Sequence, residues 1–70
     1  QRAKEAERQV ERLGVERARI EGRLADPASY GDGTDIAALQ RRLAELAEAT
    51  EAAESRWLEA EAEIERLSAA

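Results

Sequence analysis

The 70-residue sequence contains no cysteine, histidine, methionine or phenylalanine. Without thiolate or imidazole ligands, it cannot form the zinc and other transition-metal sites that need these side chains. A serine nucleophile needs a neighbouring base, and Ser29, Ser55 and Ser68 have no histidine anywhere in the chain to activate them. We therefore expect no catalytic residue, no metal site and no cofactor in this chain.

The sequence also lacks long apolar runs. No segment approaches the roughly 18 apolar residues of a membrane span, and there is no signal segment with a basic start and an apolar centre. We therefore expect no membrane contact, and a cysteine-free chain of this kind fits the cytoplasm. Because the chain opens at Gln1 and has no methionine, we expect it to be part of a longer protein.

The residues that are present are dominated by alanine, glutamate, arginine and leucine. The chain is 43% hydrophobic and 39% charged, a mixture typical of long exposed helices and coiled coils. The net charge of −5 is unevenly distributed. Residues 1–24 carry seven basic and five acidic side chains, a balance of +2, whereas residues 25–70 carry four and eleven, a balance of −7. A basic segment is thus followed by an acidic one, and the two could complement each other across a pair of helices.

One stretch interrupts the helical composition. Residues 26–35 contain the only proline and two of the four glycines. Asp26 before Pro27 suits a short helical turn, and Asp32, Thr34 or Asp35 can cap a following helix. We predict a helix over about residues 2–25, a loop over about 26–34, and a second helix over about 35–68.

Apolar residues on both sides of the loop recur in alternating steps of three and four, the heptad pattern of a coiled coil. The first stripe, which includes one arginine, is Ala3, Ala6, Val10, Leu13, Arg17, Ile20 and Leu24. The second is Ile36, Leu39, Leu43, Leu46, Thr50, Ala53, Trp57, Ala60, Ile64 and Leu67. Each stripe must be buried against the other, so we predict an all-α, single-domain, two-helix antiparallel coiled-coil hairpin.

The second helix is the longer one, so its last turns around Ile64 and Leu67 should lack a partner. They could fray, pair with upstream residues, or pair with a second copy. A domain-swapped homodimer stays an alternative to the hairpin, because so small a core is weak. Near the loop, we expect Tyr30 to cover the end of the seam over Leu24 and Leu39.

The first helix carries a row of basic residues opposite its apolar stripe. At about 100° per residue, the members of this row fall within an arc of about 100°. They are Lys4, Arg8, Arg12, Arg19 and Arg23, hereafter the basic stripe. It could follow a phosphate backbone over about 28 Å. The alternative is an ordinary solvated face with helical ion pairs.

Three segments carry a resemblance to a known family: residues 20–30 (IEGRLADPASY), 39–46 (LQRRLAEL) and 54–59 (ESRWLE). Together they resemble the C-terminal coiled-coil hairpin of the ABC-F ATPases, the Uup-like proteins with two nucleotide-binding domains. The shared features are the Asp-Pro turn after the first helix and the Arg-Trp segment late in the second.

The resemblance implies that the parent is a cytoplasmic ATPase that uses ATP and Mg²⁺ in its own domains. This arm would then contact DNA, ribosomal RNA or the ribosome. The chain contains no glycine-rich phosphate loop, so it should hydrolyse no ATP itself.

Two other functions remain open. The C-terminal hairpin of valyl-tRNA synthetases is similar in architecture, with an Asn-Pro or Asp-Pro turn, and would imply contact with tRNA. A hairpin whose only task is to pair with another protein is the second alternative, and it would need an apolar stripe left uncovered after the hairpin forms.

Overall fold

The computed structural model describes residues 2–69. Helix α1 spans Arg2–Ala25, a short 3₁₀ turn spans Pro27–Tyr30, and helix α2 spans Ile36–Ala69. The two α-helices pack side by side in a rod of about 60 × 15 × 14 Å. Arg2 at the start of α1 hydrogen-bonds to Glu63 near the end of α2, and Arg23 near the end of α1 hydrogen-bonds to Thr34 just before α2. The helices therefore run antiparallel. The predicted all-α, two-helix hairpin is confirmed.

The core follows the two predicted stripes. Its buried members are Ala3, Ala6 and Ile20 from α1 and Leu46, Ala53 and Ala60 from α2. Four of these six are alanines, which let the helix backbones approach closely but bury little apolar area. Since apolar burial contributes about 25 cal/mol per Å², a hairpin with so small a core has modest stability.

The loop begins with the turn that Asp26 and Pro27 predict. The Asp26 side chain accepts a hydrogen bond of 3.0 Å from the Ala28 backbone N–H, and Pro27 occupies the first position of the 3₁₀ turn. Farther along, Gly33 adopts a φ of 85°, a left-handed conformation that L side chains rarely adopt. This glycine lets the chain turn back toward α2.

Asp35 caps the second helix. Its carboxylate accepts a 2.9 Å hydrogen bond from the Ala38 N–H, which satisfies one of the free donors of the first turn. Asp32 and Thr34, the other two candidates for this cap, bond to each other instead: the Asp32 carboxylate accepts from the Thr34 hydroxyl and N–H. These bonds hold the pKa of Asp32 below its ordinary value of 3.8, with the Thr34 hydroxyl as the largest cause.

The expected role of Tyr30 is corrected by the structure. Tyr30 is 63% exposed, and its hydroxyl donates a 2.8 Å hydrogen bond to the Leu24 carbonyl. It therefore ties down the end of α1 through its polar tip, with its ring left largely in solvent. The buried residue of this loop is Ser29.

Polar bonds between the helices follow one edge of α1. Residues 2, 9, 16 and 23 are spaced by seven, so they lie along one side of the helix. Each bonds to the other side of the hairpin: Arg2 to Glu63, Gln9 to Arg56, Glu16 to Arg42, and Arg23 to Thr34. We call this row the polar edge, and it fixes the register of the two helices.

The open end of the hairpin leaves apolar side chains uncovered. Helix α2 continues beyond Glu63, the partner of Arg2, to Ala69. Ile64 and Leu67 lie in this extension and are exposed, although both belong to the predicted stripe. Within the described hairpin, α1 therefore leaves both side chains exposed, as the greater length of α2 predicts.

Candidate nucleic-acid interface

The basic stripe lies on the outer side of α1. Its predicted members Lys4, Arg8, Arg12, Arg19 and Arg23 are all exposed. They follow a helix that is continuous over Arg2–Ala25, so their spacing is set by the regular rise of about 1.5 Å per residue. The stripe runs nearly the whole length of this helix.

The central part of the stripe borders a shallow surface depression of about 830 Å³. Arg8, Arg12 and Arg19 line it, together with Val15, which is 60% exposed. Lys4 and Arg23 do not line this depression. The structure therefore brings three of the five predicted residues together around one surface feature.

Most of the stripe has no internal ion pair. Within residues 2–69, the ion pairs are Arg2–Glu63, Arg42–Glu16 and Arg42–Glu45, so none involves Lys4, Arg8, Arg12 or Arg19. Arg23 differs because it donates a 2.6 Å hydrogen bond to the Thr34 hydroxyl. Four cations of the stripe thus have their full donor capacity available to an external anion.

The second helix uses two of its four arginines internally. Arg56 donates to the Gln9 side chain at 2.7 Å. Arg42 donates to both oxygens of Glu16, from Nε at 2.6 Å and from a terminal nitrogen at 2.9 Å, and its other terminal nitrogen donates to Glu45 at 3.1 Å. The cations of α2 therefore contribute less to an external binding surface than those of α1.

The Glu16–Arg42 pair has the bidentate geometry of the stronger carboxylate–guanidinium contacts. The hydrogen bond from Arg42 holds the pKa of Glu16 below its ordinary value of 4.5, and the charge of Arg19 acts in the same direction. The contact with Glu16, and then that with Glu45, raises the pKa of Arg42 above its ordinary value. Glu16 is therefore a stable anion at neutral pH, held across the helix interface.

Phosphate oxygens fit this chemistry best. Exposed guanidinium groups form bidentate hydrogen bonds to phosphates. A row of such contacts does not distinguish one base sequence from another. The chain's two aromatic residues, Tyr30 and Trp57, lie outside the stripe. The stripe therefore has no aromatic side chain on which a base could stack. In the described part of the chain, no group of three or more carboxylates could hold a metal ion, and neither α-helix is long and apolar enough to cross a membrane.

Sequence reasoning did not find the role of Arg42. When each helix is considered alone, Glu16 is only a carboxylate at the margin of the basic stripe, and Arg42 is one of two adjacent arginines. Their contact depends on the register between the helices. The available signal was the spacing of residues 2, 9, 16 and 23, which places four polar residues on one edge of the seam.

The model of the family described as ABC transporter C-terminal domain matches residues 1–62. The chain belongs to this family. The match confirms the resemblance to a C-terminal domain of an ABC-family ATPase, and it favours that parent over a valyl-tRNA synthetase. Comparisons with curated proteins and with solved structures gave no match.

The family match covers most of the features described so far. It includes α1 with the whole basic stripe, the loop, and α2 as far as residue 62. The exposed Ile64 and Leu67 lie beyond it. The stripe and the polar edge up to Arg56 thus belong to the part of the chain that carries the family relationship.

Proposed function

We propose that this C-terminal domain is a non-catalytic arm of an ABC-F ATPase and that it contacts nucleic acid through the basic stripe. The parent's nucleotide-binding domains would bind ATP and Mg²⁺, and the arm would touch DNA or ribosomal RNA, including RNA within the ribosome. The observation that carries the proposal is that Lys4, Arg8, Arg12 and Arg19 are exposed on the outer face of α1 and form no ion pair within residues 2–69.

The dimensions of the stripe support a backbone contact. From Lys4 to Arg23 it extends about 28 Å at the helical rise of about 1.5 Å per residue. One strand of duplex DNA advances about 3.4 Å per phosphate, so a stripe of this length can meet several phosphates. Without aromatic side chains or base-reading residues in the stripe, binding should be weak and independent of sequence.

Local charge, and not net charge, must drive this contact. The chain as a whole is at −5, which opposes binding to a polyanion at long range. The acidic residues concentrate in α2, whereas the stripe lies on the outer side of α1. At physiological salt the screening length is about 8 Å, so carboxylates of α2 that lie farther away than this are largely screened. Glu11 and Glu16 line the same depression as Arg8, Arg12 and Arg19 and reduce the local positive field without cancelling it.

The proposal is tested with a triple variant, Arg8→Gln, Arg12→Gln and Arg19→Gln. We expect it to bind a short duplex DNA or RNA at low salt about tenfold or more weakly than the unaltered chain, because three phosphate contacts are lost. Binding is measured by fluorescence anisotropy, and helicity by circular dichroism.

The matched control changes three arginines outside the stripe: Arg17→Gln, Arg41→Gln and Arg66→Gln. This variant has the same net charge as the first, so a general charge effect would weaken both equally. Equal binding by the two triple variants, or unaltered binding by the first, would overturn the proposal.

A further inference from the structure

Glu16 occupies the position from which it could neutralise the basic stripe. It lies four residues after Arg12 and three before Arg19, the two spacings at which side chains on one helix form ion pairs. Neither arginine is paired with it. Glu16 turns instead to Arg42 on the other helix, at 2.6 and 2.9 Å.

Arg42 is held in place from two sides. Glu16 binds one flank of its guanidinium group and Glu45 the other, at 3.1 Å. The planar fork of donors on arginine makes such a double contact directional, which a lysine could not reproduce. Arg42 and Glu16 both line the depression that Arg8, Arg12 and Arg19 surround. The pair therefore lies inside the proposed binding surface.

We infer that Arg42 is a positioning residue for the nucleic-acid contact: it draws Glu16 across the helix interface and so leaves Arg12 and Arg19 free to bind phosphates. This inference rests on the proposed function. It assigns to the second helix a role in binding that requires no contact between Arg42 and the nucleic acid. The hairpin register, through the polar edge, then controls how many cations the stripe offers.

A double-mutant cycle tests this role, with duplex DNA as the probe. In Arg42→Gln, Glu16 is released and can pair with Arg12 or Arg19. We expect affinity to fall several-fold. The slope of the logarithm of the association constant against the logarithm of salt concentration should become smaller by about 0.9, the value for one lost phosphate contact on duplex DNA. In Glu16→Gln with Arg42→Gln, the carboxylate that Arg42→Gln releases beside Arg12 and Arg19 is itself removed, so affinity should return at least to that of the unaltered chain.

The matched control is Arg56→Gln. It removes the same charge and also breaks a hydrogen bond across the helices, the single one to the neutral Gln9 side chain, but it lies outside the depression. We expect its affinity to stay within about twofold of the unaltered chain, since it releases no carboxylate beside the stripe. Thermal unfolding of all variants is followed in parallel.

The outcomes separate the two proposals. If Arg42→Gln binds like the unaltered chain, or if the double variant stays as weak as Arg42→Gln, the positioning role is wrong and the stripe can still bind. If affinity instead follows the unfolding temperature across the cycle, Arg42 acts only on stability and the inference also fails. If the unaltered chain shows no salt-sensitive binding, the proposed function fails first and the inference with it.

Discussion

The loop end and the open end of the hairpin differ in how they are secured. At the loop end, Asp26, Tyr30 and Asp35 all bond to the backbone, and Arg23 bonds across to Thr34. In the described chain, the open end is linked by one exposed ion pair, Arg2–Glu63, and leaves Leu67 exposed. The comparison teaches that a heptad position is buried only where the partner helix runs beside it: Ala60 of the apolar stripe is buried against α1, whereas Leu67 of the same stripe is exposed.

The largest expected effect separates two leucines of the same stripe. Leu46 is fully buried, whereas Leu67 is 72% exposed. Leu46→Ala should cost about 2–5 kcal/mol in the free energy of unfolding, because it removes apolar contacts and leaves a cavity. In so small a core this loss should abolish the cooperative unfolding transition seen by circular dichroism.

Leu67→Ala is the control for that substitution. As a surface change it should alter the free energy of unfolding by less than about 0.5 kcal/mol. A loss comparable to that of Leu46→Ala would show that the open end is covered in solution, for example by a second copy. Sedimentation at several concentrations would then reveal a dimer.

The next effect compares the bonds that secure the two ends. Asp35→Ala removes the cap of α2 and should cost about 1 kcal/mol. Arg2→Gln removes the exposed ion pair at the open end and should cost less than about 0.5 kcal/mol. Both values come from chemical denaturation, and Asp35→Asn, which retains a capping oxygen, should restore most of the loss. If Arg2→Gln lowered the free energy of unfolding more than Asp35→Ala does, the open end would be the more firmly secured of the two.

Two glycines within α1 test how firmly this helix is formed. Gly14 and Gly22 lie within α1, and neither has a positive φ. An added Cβ would meet nothing within 4 Å at either position. Each change to alanine should therefore stabilise the hairpin by up to about 1 kcal/mol. If Gly14→Ala raises the melting temperature clearly less than Gly22→Ala does, α1 is less firmly packed toward the open end.

The smallest expected effect is the change in the stability of the hairpin at acidic pH. The pKa values of Glu16 and Asp32 are lowered in the folded chain, so both carboxylates bind protons more weakly when folded than when unfolded. Their contribution to stability is present above their ordinary values of 4.5 and 3.8 and is lost as the pH falls below them. Melting temperature should fall in this range, and Glu16→Gln should flatten part of that fall. An identical pH profile in this variant would contradict the assignment.

The fold class was predictable because heptad spacing and a cluster of turn residues both act locally. Ile20 and Leu46 stand at stripe positions in the sequence and are buried in the hairpin. The roles of the loop residues were less predictable. Three side chains could cap α2, and only the backbone path decides that Asp35 does so while Asp32 bonds to Thr34.

The candidate site was predictable in part for the same reason. The alignment of Arg8, Arg12 and Arg19 follows from the period of a single helix. The Glu16–Arg42 contact joins residues 26 positions apart and depends on the register of two helices, which heptad spacing leaves open by whole turns. Charge partners across an interface therefore had to come from the structure.

The salt dependence of binding tests most directly the claim that the stripe neutralises phosphates. The logarithm of the association constant for duplex DNA is measured against the logarithm of salt concentration, for the unaltered chain and for the Arg8, Arg12 and Arg19 triple variant. Each neutralised phosphate contributes about 0.9 to the slope, so the two slopes should differ by about 2.7. Parallel lines for the two proteins would contradict the account.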